Sequence, residues 1–106
     1  MKIMAIIDVA PNAPMDAVRS ELATELEGAW ELFTTGVLRE AYATEKPTRV
    51  VFVLESESGA EAERQLRKLP LVARGLMAAQ FIELRPFANW ARLFAPHQSA
   101  LPSRIG

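Results

Sequence analysis

The 106-residue chain predicts a ferredoxin-like α+β fold, a four-stranded antiparallel sheet built in the order β-α-β-β-α-β. Three observations predict it. Four short segments rich in Ile, Val, Leu and Phe read as strands, and two longer segments space their apolar residues three and four apart. Turn and cap residues separate them: Pro11-Asn12-Ala13-Pro14, Gly36, Pro47 and Ser58-Gly59. Right-handed crossovers then place both helices on one face of the sheet.

Residues 2–9 (KIMAIIDV) are Ile- and Val-rich and too short for a helix that buries much, so they form the first strand. Pro14 suits a helix first turn, where its missing N–H would be unpaired anyway. From Met15, the positions Met15, Val18, Leu22, Leu26, Ala29 and Phe33 draw an apolar stripe down a helix of about five turns, with Arg19, Glu21 and Glu25 expected on the wet side. Trp30 lies beside this stripe and is expected to pack on the sheet. Gly36 ends the helix, because glycine adopts the left-handed conformation freely.

Residues 37–43 (VLREAYA) and 49–55 (RVVFVLE) are the next two strands, joined through Thr44-Glu45-Lys46-Pro47. Ser58-Gly59-Ala60-Glu61 is a capping box opening the second helix, with Ala62, Leu66 and Leu69 on its buried side. An apolar loop, Leu69-Pro70-Leu71-Val72, leads to the fourth strand at 77–85 (MAAQFIELR). Residues 87–94 (FANWARLF) place Phe87, Trp90, Ala91 and Phe94 along one side of a short helix. The expected organisation is one domain over 1–95 and a tail over 96–106.

Composition narrows the function. Twelve basic against thirteen acidic residues leave a formal charge of −1 and no electrostatic footprint for nucleic acid or anionic membrane. The absence of cysteine excludes disulfides, thiol catalysis and thiolate metal sites. The apolar run 3–7 is broken at Asp8 and is too short for a signal peptide or a membrane span, so a cytoplasmic location is expected. The lone histidine, His97, stands in the tail, where general acid–base chemistry lacks held geometry. No carboxylate cluster at ligand spacing and no Gly-rich phosphate loop is present, so no metal is expected.

Two helices cover only one face of the sheet, and strand composition tests the other. In residues 49–55 both alternating sets are apolar, Val50, Phe52 and Leu54 on one side and Val51 and Val53 on the other. The first strand behaves alike, with Ile3, Ala5 and Ile7 set against Met4 and Ile6. A solvated face alternates apolar with polar residues, so a second copy of the sheet is expected to cover this one. The expected assembly is a dimeric α+β barrel, a homodimer or higher oligomer.

Two stretches resemble the muconolactone isomerase family: Gly36-Val37-Leu38-Arg39-Glu40-Ala41-Tyr42 after the first helix and Leu69-Pro70-Leu71 after the second. The resemblance spans about residues 2–86 and is carried mostly by pattern. Arg39 and the aromatic Tyr42 match, whereas Leu38 stands where that family has an aromatic and Glu40 where its enzyme has histidine. The resemblance implies an oligomeric protein that works without a cofactor, and proton-transfer isomerisation of a small lactone or cyclic acid. Related barrels host cofactor-free monooxygenases and YciI-like lyases, and a non-catalytic ligand-binding or assembly module is the alternative outside enzymology.

A cofactor-free isomerase needs a base for a carbon-bound proton and a donor or cation for the developing enolate. Glu40 or Glu83 supplies the first role and Arg39 or Tyr42 the second. Alternation places Glu40 and Tyr42 on one face of their strand and Arg39 on the other, so the three share a pocket only if the strand is bulged or lies near a barrel mouth. Glu83, Arg85 and Phe81 share one face of the fourth strand, with Gln80 opposite, and Asp8 ends the first strand; Glu83, Arg85, Asp8 and Phe81 are the candidate substrate-binding residues.

Overall fold

A computed structural model describes residues 1–94, and the tail with His97 lies outside the described residues. The elements run β1 (Lys2–Val9), α1 (Met15–Thr34), β2 (Leu38–Glu45), β3 (Thr48–Glu55), α2 (Gly59–Leu66), α3 (Pro70–Ala73), β4 (Met77–Leu84) and a 3-10 helix over Ala88–Phe94. The strands lie in the order β2-β3-β1-β4, every neighbour antiparallel. This is the ferredoxin-like α+β arrangement.

Local chemistry sets the element ends. Gly36 at φ 86° lets the chain leave α1 while its N–H reaches Phe33 O and that of Val37 reaches Leu32 O. Gly75 at φ 71° repeats the device after α3, with Gly75 N–H on Val72 O and Leu76 N–H on Leu71 O. Ser58 Oγ accepts from Glu61 N at 3.1 Å, opening α2. The reciprocal half of the expected box is replaced, because the Glu61 carboxylate accepts from Gln65 at 2.9 Å and pairs with Arg64.

The core lies between the sheet and the helices. Ile3, Ala5 and Ile7 of β1 and Leu54 of β3 meet Leu32 of α1, Ala62 and Leu66 of α2, and Leu69. Leu71, 0% exposed, joins Val18 and Leu76 in a smaller cluster under α3. The apolar Leu-Pro-Leu stretch is therefore core, and residues 70–73 form a helical turn instead of the expected loop.

Helix α1 is rotated from the expected stripe. Its buried residues are Val18, Glu25 and Leu32, seven apart, whereas Met15, Leu22, Leu26 and Phe33 are 43–61% exposed. Glu25, expected on the wet side, is a buried polar residue whose carboxylate accepts from Leu71 N at 2.8 Å. Gly28 permits the close approach: a Cβ there would stand 2.7 Å from Leu69 Cδ2. The helix turns this face inward because it docks on the Leu69–Leu71 segment, where a glycine and a carboxylate fit better than a leucine.

The register divides the sheet faces. Ile3, Leu54, Glu83, Phe81 and Phe52 face the helices, and Met4, Ile6, Val51, Val53, Gln80 and Ile82 face away. All three α-helices lie on the first face, so the second carries a central apolar patch without a helix. Phe87 just before the 3-10 helix and Trp90, Leu93 and Phe94 within it are 51–81% exposed. Among the described residues no helix is long and apolar enough to cross a membrane.

Candidate functional site

The edge strand β2 is bulged. Leu38 pairs with Leu54 and Glu40 with Val53, so Arg39 is the extra residue on the β2 side. Leu38 faces the helices, and beyond the bulge Ala41 and Ala43 do so too, while Glu40 and Tyr42 face away. At this bulge Arg39 and Glu40 both border one pocket, whose lining does not include Tyr42.

That pocket is a cleft of about 420 Å³ between α1 and the β2 edge. Leu26, Ala29, Trp30 and Phe33 form the α1 wall, Leu38, Ala41 and Phe52 the sheet wall, and Arg39 and Glu40 are the charged residues of its lining. Trp30 and Phe33 stack at 5.3 Å between ring centroids with their planes 28° apart. Trp30 is 65% exposed and does not pack into the sheet as expected, because the docking of Glu25 and Gly28 turns position 30 toward the open edge.

The polar groups at the rim are held. Arg39 Nε donates to Gly36 O at 2.5 Å, which fixes the guanidinium root beside the turn, and Arg39 forms no ion pair among the described residues. Tyr42 Oη donates to Glu40 Oε1 at 2.7 Å. That bond to the carboxylate, then its charge, push the Tyr42 hydroxyl above its ordinary value of 10.0. Tyr42 thereby engages one of the two Glu40 oxygens.

The other predicted site residues lie elsewhere. Asp8, on the outward face of β1, is held by Arg49, whose Nε and Nη2 donate to its two oxygens at 3.0 and 2.9 Å. Glu83 and Phe81 are on the helix side of β4, at the edge of the sheet opposite β2, and Arg85 donates to Glu83 at 3.3 Å. Three strand spacings, about 14 Å, separate β4 from β2. Arg39 and Glu40 thus border one cleft, Tyr42 bonds Glu40 without lining it, and Glu83, Arg85, Asp8 and Phe81 lie apart from them. Among the described residues no group of three or more His, Asp or Glu side chains is placed to hold a metal ion.

Sequence reasoning missed Trp30, Phe33 and Leu26 as cleft residues. The signal was an excess: α1 carries more apolar residues than one face of a helix accommodates, which requires a second apolar wall.

No family model matches the chain, and no curated protein matches it. Among solved structures it is similar to 5-chloro-2-hydroxyhydroquinone dehydrochlorinase (TftG) from Burkholderia phenoliruptrix AC1100, in complex with 2,5-dihydroxybenzoquinone. The TM-score is 0.63 at 17% identity, over 80% of this chain and 94% of that one, a likeness of fold.

Proposed function

We propose that this protein is a cofactor-free enzyme that moves a proton on a small cyclic substrate bound in the α1–β2 cleft. The observation that supports the reading is the bulge at Arg39, by which Arg39 and Glu40 both border one cleft, Glu40 from the outward-facing side of β2. Glu40 takes a carbon-bound proton at the β2 edge and returns it to another carbon of the same substrate, so the net reaction is an isomerisation. Arg39 holds the enolate oxygen while charge resides there, and Tyr42, donating to Oε1, orients the carboxylate and leaves Oε2 to act. The resemblance of residues 36–42 and 69–71 to muconolactone isomerases supports a lactone or cyclic acid as substrate. A dehydrochlorinase of a chlorinated cyclic phenol on a similar fold supports a ring-sized substrate.

The reading includes a second copy of the chain. Met4, Ile6, Val51, Val53 and Ile82 form an apolar patch on the outward face of the sheet, and a matching sheet would bury it, giving a dimeric barrel.

Incubation with muconolactone and related ring acids in D2O, followed by NMR, tests the chemistry through isomerisation and exchange at the acidic carbon. Glu40→Gln is expected to lower the rate by about a hundredfold or more, with the fold unchanged. Turnover at the original rate by that variant would show that Glu40 is not the base.

A further inference from the structure

The cleft walls specify more than a ring of suitable size. We infer that the α1–β2 cleft selects flat, π-bonded monocyclic anions, of the aromatic or quinonoid carboxylate class, over saturated rings of equal size and charge. The inference rests on reading the cleft as the ligand site and adds the shape and electronic character of the ligand.

Two independent features carry it. Trp30 and Phe33 are a near-parallel pair, 28° between planes, and both stay exposed, 65% and 47%, although such side chains are normally covered. A third ring entering the cleft extends this stack and covers the open aromatic surface. Ala29 on the same wall and Ala41 on the sheet wall are small, and Phe52 and Leu38 complete the sheet side of the lining. A cleft of about 420 Å³ stands near the lower end of small-molecule sites, room for one substituted ring.

The second feature is charge. Arg39 is the only cation of the lining, is anchored through Nε to Gly36 O, and has no carboxylate partner among the described residues. Glu40, beside it, is engaged by Tyr42. Glu55 feels the Arg39 charge only as a secondary influence, its carboxyl being lowered first by the bond from the Met1 amino group. An anionic group on the ring would meet a guanidinium otherwise paired only with a backbone carbonyl.

Trp30 and Trp90 are the two tryptophans of the chain, so a Trp90→Phe background makes the emission report on Trp30 alone. In this background benzoate is expected to quench saturably. By competition against benzoate, cyclohexanecarboxylate should bind about three- to tenfold more weakly, the loss of one aromatic contact. Uncharged benzamide should bind about tenfold to a hundredfold more weakly, and Arg39→Gln should erase the difference between benzoate and benzamide.

Equal affinity for the saturated acid, or a benzoate preference that survives Arg39→Gln, would overturn the inference. So would the absence of saturation by any probe together with Trp30 emission that changes with protein concentration, which would make the aromatic pair a contact between copies. Glu40→Gln separates this from the proposed chemistry: it is expected to retain benzoate binding while losing turnover, so either reading can fail alone.

Discussion

Glu25, on the face of α1 that packs inward, accepts a hydrogen bond from the Leu71 backbone N–H at 2.8 Å, joining the helix to the start of α3. One turn earlier, Glu21 pairs with Arg74 at 3.0 Å, so the two acids hold both ends of α3. This clamp sets the rotation of α1 and, through it, which residues wall the cleft. Removing the acceptor with Glu25→Ala leaves a buried N–H unpaired and should cost about 1–3 kcal/mol, measured by urea unfolding.

The same carboxylate carries a pH signature. Burial, with Glu21 nearby, pushes Glu25 above its ordinary 4.5, against the opposing Leu71 hydrogen bond. Between 4.5 and that raised value the folded chain holds a proton the unfolded chain has lost, so this group's contribution to stability falls as pH rises through the window. Glu25→Gln keeps the acceptor without the charge. It should therefore match or exceed the parent's stability at neutral pH, with the gap closing as the pH is lowered toward 4.5.

At Gly28 a new Cβ would meet Leu69 Cδ2 at 2.7 Å, and Leu69 is 1% exposed with little room to yield. Gly28→Ala gains about 1 kcal/mol of helix propensity but incurs about 1–3 kcal/mol of overpacking. A net loss is expected in thermal unfolding. Shortening Leu69 in the same chain should recover part of it, and purely additive effects would show that the two residues do not meet.

Tyr42 is the only tyrosine, so the ultraviolet absorbance of its phenolate follows this residue alone. The hydrogen bond to Glu40 predicts a midpoint above 10.0, and Glu40→Gln should return it toward 10.0. Coincident titrations of the two proteins would remove Tyr42 from its assigned role in orienting Glu40.

The outward face of the sheet predicts association. Light scattering should give at least twice the 11.7 kDa of the chain. Val51→Glu, in the middle of the patch on β3, should shift the mass toward the monomer, because an ionised carboxylate between two sheets lacks a partner. A monomeric parent protein at micromolar concentration would end the dimer reading.

How much of this was legible in the sequence follows from the range of each interaction. The strands, the helix stop at Gly36, the Ser58 cap and the doubly apolar strands depend on neighbours a few positions away, and the sequence determined them. Alternation alone also placed Glu40 beside Tyr42 and Phe81 beside Glu83. The rotation of α1 was decided only by the tertiary structure, because Glu25 finds its donor 46 residues away and Gly28 finds Leu69 across a helix–loop contact. Trp30, Phe33 and Leu26 became cleft walls as a consequence. The bulge at Arg39 is likewise a matter of pairing with β3, and it brings one cation of the chain into a cleft that periodicity alone assigned to the opposite face.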